Sequence, residues 1–89
     1  MTSPIKLPFV TQKITIADEA LAAGNYVMKT LNVDTSKVLS ALYVNGITAY
    51  NDHLIPTFKN SSGTLMITLL NTSSGTATIG GMVVVTLLP

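Results

Sequence analysis

The sequence predicts an all-β domain, an antiparallel β-sandwich or jelly-roll-like barrel of about seven short strands. Three observations carry this. Apolar residues recur with period two in short runs, the signature of strands rather than helices. Clusters of Asn, Asp, Ser, Thr and Gly interrupt those runs every several residues, the spacing of a small sandwich or barrel. Only Asp18–Gly24, DEALAAG, has helix-favouring composition, and it is too short for a stable helix.

The elements follow in order. Met1 to Val10 holds Pro4 and Pro8 around Ile5, Leu7 and Phe9. Proline blocks helix and removes sheet donors, so residues 1–10 are expected as an extended arm, and residues 11–89 as a single β-sandwich domain. Thr11 to Ala17 alternates as a strand with Ile14 and Ile16 on one side. Asp18 to Gly24 is expected as a loop with a single turn capped by Asp18 and ended by Gly24. Asn25 to Val33 reads as a strand with Val27, Leu31 and Val33 on one face, interrupted by Lys29. Asp34 to Lys37, DTSK, is a turn by composition. Val38 to Val44 is the next strand. Asn45-Gly46, the preferred pair for a two-residue hairpin, turns it back through Ile47 to Tyr50. A loop over Asn51 to Pro56, a short strand over Thr57 to Lys59 and a turn at Asn60 to Gly63 complete this half.

The last third, Gly63 to Pro89, organises the rest. Two apolar runs, GTLMITLL and TATIGGMVVVTLLP, flank NTSSG, the composition of a hairpin connection. Period two puts Leu65, Ile67 and Leu69 on one face, and Ala77, Ile79, Val83, Val85 and Leu87 on one face. A hairpin with Leu69 opposite Ala77 would align both rows. It would leave Val83 to Leu88 in need of another partner strand. Gly80-Gly81 sits at that junction, and glycine inside a strand often marks a bend, so the chain is expected to turn there into a second sheet. The opposite face carries Met66, Leu70, Met82, Val84 and Leu88. Strands apolar on both faces are usually covered on both faces.

Composition points the same way. Hydrophobic residues make up 47% and charged residues 10%, against roughly 25% charged in ordinary soluble domains. There is no cysteine to staple so short a chain, and oligomerisation is the common alternative. A homo-oligomer is expected, with Ile5, Leu7, Phe9, Met66, Leu70, Met82, Val84 and Leu88 as its oligomer or docking interface. The five lysines are scattered and there is no arginine, which argues against nucleic acid. MVVVTLL is too short to insert across a membrane. Residues 1–10 lack the basic start and apolar core of a secretory signal.

No catalytic constellation appears. The single histidine, His53, has no spaced Cys, His or acid partners for a metal, and the serines have no base or nucleophile-elbow glycines. Neither a catalytic residue, nor a metal, nor a cofactor is expected, and the chain is read as non-enzymatic. Tyr43, Tyr50, Asn51, Asp52 and His53 form a candidate ligand surface for carbohydrate; sheet packing of the tyrosines is the plainer reading.

Together the proline-containing arm, LYVNG, NSSGTLMITLLNTSSGTATI and the closing MVVVTLLP resemble the small all-β domains of tailed-bacteriophage structural proteins. Those domains occur in capsid decoration proteins, head fibres and tail-fibre tips. The resemblance is one of composition and layout, and no functional residue carries over. It implies a commonly trimeric domain fixed to capsid or tail proteins of a virion, made in the host cytoplasm. Its alternative role is a receptor-binding tail-fibre or baseplate tip that recognises host-surface carbohydrate.

Overall fold

The structure, a computed structural model, describes residues 8–45 and 53–89. The all-β expectation holds. Among the described residues, eight short strands form three antiparallel sheets, and a 3-10 turn covers Thr35–Lys37. The strands are β1 (Val10–Thr15), β2 (Glu19–Leu21), β3 (Tyr26–Leu31), β4 (Val38–Val44), β5 (Leu54–Ser61), β6 (Thr64–Asn71), β7 (Ala77–Ile79) and β8 (Met82–Leu87). One three-stranded sheet runs β1-β8-β4, the other β3-β6-β5, and β2-β7 is a two-stranded ribbon. Each strand's inward row joins one apolar core, which makes the molecule a small β-sandwich.

The core rows are those that period two picks out. Leu65, Ile67 and Leu69 of β6 are buried, as are Ala77 and Ile79 of β7 and Val83, Val85 and Leu87 of β8. The partners differ from expectation. The two apolar runs do not form a hairpin with each other. β6 pairs with β3 and β5, β7 with β2, and β8 with β1 and β4. Both edges of β6 are thus occupied, and the loop after it carries the chain out of the sheet. Each of the two larger sheets takes its central strand from the last third of the chain.

That exit is organised by Asn71, the single buried polar side chain among the described residues, with no exposed surface. Its side-chain amide donates to the Leu21 carbonyl (2.9 Å) and the Gly75 carbonyl (2.9 Å). Its side-chain oxygen accepts from the Ser73 N–H (2.9 Å) and the Ser73 hydroxyl (2.6 Å). Its backbone N–H donates to the Asn25 carbonyl, and its carbonyl accepts from Gly24 N–H. One residue thereby ties the ends of β2 and β6, the entry to β3 and the crossing loop.

The second crossing is the expected bend at Gly80-Gly81. β7 ends at Ile79 in the ribbon, and β8 begins at Met82 in the other sheet. Gly81 has φ 74°, and a Cβ there would run into the Val44 carbonyl; a Cβ on the buried Gly80 would meet the Asp18 carboxylate. The positive φ and the backbone contact restrict Gly81 to glycine, whereas the Asp18 side chain could swing away from Gly80. Tyr43 on β4 fastens it from within. Its hydroxyl donates to the Gly80 carbonyl (2.8 Å) and accepts from the Gly80 N–H (3.3 Å).

Other boundaries shift for local reasons. Val10, set in the arm, already belongs to β1 opposite Leu87. DEALAAG forms no helical turn. Glu19–Leu21 pairs with β7 instead, because burial of Leu21 and ladder pairing outweigh the weak propensity of a short segment. The strand expected over Thr57 to Lys59 extends to Leu54–Ser61, since Pro56 lies on the outer strand of its sheet, where a missing N–H costs least. Its turn is a tight hairpin into β6. Ser61 faces Thr64, Ser62 and Gly63 both have positive φ, and Asn60 Oδ1 accepts from Gly63 N–H. The DTSK turn is the 3-10 turn Thr35–Lys37, capped by Asp34. The return over Ile47 to Tyr50 lies outside the described residues.

Two substitutions test this account. Asn71→Ala removes four side-chain hydrogen bonds and leaves buried partners unpaired. It is expected to cost about 3 kcal/mol, read from the urea midpoint. Tyr43→Phe keeps the ring and loses only the tie to Gly80, with an expected cost of about 1 kcal/mol.

Candidate functional site

The alternation that buries one row of each strand turns the other outward. On β3-β6-β5 the outward rows are Tyr26–Leu70–Ile55, Met28–Thr68–Thr57 and Thr30–Met66–Lys59. The first two rows are apolar side chains and threonines. They line an open groove of about 390 Å³ formed by Tyr26, Met28, Ile55, Thr57, Thr68 and Leu70. Tyr26 is 65% exposed, Ile55 50%, Met28 49% and Leu70 37%. Such a contiguous apolar patch marks an interaction surface, where scattered single residues would not. Lys59, at the end of the third row, is the only charged side chain in the three rows.

On β1-β8-β4 the outward rows are Thr11–Thr86–Ser40, Lys13–Val84–Leu42 and Thr15–Met82–Val44. Leu42 and Val44 are exposed, and a register shift between Val38 and Ser40 adds the exposed Leu39. This face is also part apolar, but Lys13 sits in its middle row.

The expected interface residues are therefore divided. Met66 and Leu70 face out from one sheet and Met82 and Val84 from the other, because both sheets turn their opposite rows to the shared core. They do not form one patch. Leu88 follows β8, exposed, with its N–H donating to the Lys37 carbonyl (2.8 Å). Phe9 is exposed just before β1. Ile5 and Leu7 lie outside the described residues. Reading the chain alone passes over Tyr26, Met28 and Ile55, which build most of the groove. The signal for the first two is present, since they alternate with Val27 on a strand whose other row reads as core. Ile55 was hidden by its neighbour Pro56, which suggested a loop.

Of the candidate ligand surface, Tyr43 turns inward and spends its hydroxyl on Gly80. His53 is exposed beside β5, and its backbone carbonyl accepts from the Thr72 hydroxyl (2.7 Å) and N–H (3.1 Å). Tyr50, Asn51 and Asp52 lie outside the described residues.

The chemistry of the described residues is sparse. No group of three or more His, Cys, Asp or Glu gathers among them, and every buried side-chain nitrogen or oxygen has a hydrogen-bond partner. Lys29 pairs with Glu19 at 3.1 Å, a half-exposed contact worth about 0–1 kcal/mol. No helix among the described residues is long and apolar enough to cross a membrane. Asp34 is held below the ordinary carboxylate range by hydrogen bonds from the Ser36 hydroxyl and N–H, with a smaller contribution from Lys37.

Fold and surface define a class: a small antiparallel β-sandwich with an apolar outer sheet face. Comparison with protein-family models, curated proteins and solved structures finds no match.

Asp34 sets one pH dependence. Its folded pKa lies below its unfolded value, so its stabilisation is fully present above the ordinary value of 3.8 and is lost as pH falls through the folded value. Asp34→Ala is expected to flatten that part of the acid-side loss, measured by urea unfolding between about pH 5 and pH 2.

Proposed function

We propose that this chain is a non-enzymatic structural protein of a virion, a capsid decoration or head-fibre component, that works by assembling as a symmetric homo-oligomer. The observation that carries the assembly reading is the outer face of β3-β6-β5, where Tyr26, Met28, Ile55 and Leu70 stand exposed together around a groove without a charged side chain in its lining. Exposed apolar area of this kind gains about 25 cal/mol per Å² when it is covered. A chain with 10% charged residues has little else to keep such a surface solvated. Shape and burial between copies then do the work, with no reacting group required. The virion setting is supported by the resemblance in composition and layout to small phage β-domains, whose common trimeric state makes a trimer the expected stoichiometry.

Absolute mass by light scattering on a sizing column tests the reading. The expected result is a stable species at three times the 9.4 kDa of one chain. A clean monomer across micromolar concentrations overturns self-assembly as the activity of the free protein.

A further inference from the structure

The assembly reading leaves open how the copies meet. We infer that the outer face of β3-β6-β5 is turned to the symmetry axis, where it packs against the same face of the other copies of this chain and not edge to edge. The inference rests on the proposed assembly and goes beyond it by naming the mode of contact.

Exposed apolar area lies ready on this face. At about 200 Å² for a fully exposed large side chain, Tyr26, Met28, Ile55 and Leu70 together expose roughly 400 Å². A standard specific interface takes about 800 Å² from each partner. Four residues of one sheet face therefore supply about half a share, with the exposed Thr30, Thr57 and Lys59 around them.

A partner could instead add a strand to an edge of this sheet, but both outer strands are blunted. β5 carries Pro56, which has no N–H to offer. β3 carries Lys29 on its inward side, held by Glu19, a charge that an added strand would have to accommodate. Proline and inward-pointing charges are the devices by which sheets refuse edge pairing. Access is left open to the face and discouraged at the edges.

A polar or ionic ligand would find only the hydroxyls of Tyr26, Thr57 and Thr68 in the groove. A second copy of the same groove brings no charge to it, and every copy of this chain carries one. A closed homo-oligomer with this face turned to its axis brings the identical patches together. Their side chains then interdigitate as they do inside a sandwich. Lys59, at the end of the last row, has room at the rim to reach water.

Two experiments decide it. In the first, Met28→Lys and Thr57→Arg are each compared with Leu42→Lys, which sits on the outward face of the other sheet. Thr57 is exposed, so its replacement leaves the fold intact should Met28→Lys fail to fold. The expected result is a fall to the mass of one chain for Met28→Lys and Thr57→Arg, with strand content kept, and an unchanged oligomer for Leu42→Lys. In the second, Thr68→Cys places a sole thiol on the central strand of a chain that has no cysteine. A bismaleimide spanning about 10 Å should link it to its own copy, and a thiol at Thr11→Cys should not link. An oligomer that survives both charged variants on this face, or that Leu42→Lys alone dissociates, overturns the inference while the assembly reading stands. A monomeric wild-type protein overturns both.

Discussion

The structure turns on the burial of Asn71. It lies where the central strand of one sheet ends and the chain must leave that sheet. A fully buried amide is costly unless all its hydrogen-bonding capacity is used. Here both donors and the carbonyl oxygen are engaged, by Leu21, Gly75 and Ser73. Those partners belong to β2 and to the crossing loop, so the network can close only if β2, β3 and β6 meet at this corner. The polar group thereby specifies an arrangement that the apolar rows alone would leave open.

From that corner the architecture follows. β6 is central in one sheet and β8 in the other. Between them the chain crosses twice, once through Asn71 to Gly75 and once through Gly80-Gly81. The most apolar third of the molecule thus supplies the middle of both layers, where burial is deepest. Strands β1, β3, β4 and β5 form the margins. Lys29 and Pro56 lie on these marginal strands. A small domain without disulfides concentrates its core in two strands and leaves one broad sheet face as the natural place for a further layer.

The candidate surface and the core have the same origin. In a strand, the choice of inward row fixes the outward row. Once Val27, Leu31, Leu65, Ile67 and Leu69 are committed to the core, Tyr26, Met28, Met66 and Leu70 must face away from it. The gathering of Tyr26, Met28 and Leu70 into one groove depends on β3 and β5 flanking β6, which aligns Tyr26, Leu70 and Ile55 across three strands. Met66 and Leu70 were visible as outward residues in the chain alone. Their separation from Met82 and Val84 was not, because a row's direction along a strand does not say which sheet the strand will join.

The sequence by itself determined the all-β class, the buried row of most strands, the DTSK and NSSG turns and the glycine bend at Gly80-Gly81. Each depends on local physics: period-two alternation, side chains that favour turns, and the backbone freedom of glycine. Only the tertiary structure decided which strands pair. The NTSSG loop has the composition of a hairpin, yet it serves as a crossing between sheets, because β3 and β5 take both edges of β6. Likewise DEALAAG became a strand, because β7 offered a ladder and a buried place for Leu21. Pairing is a competition among distant segments for the same edges, and the outcome depends on the whole set of strands rather than on any one stretch.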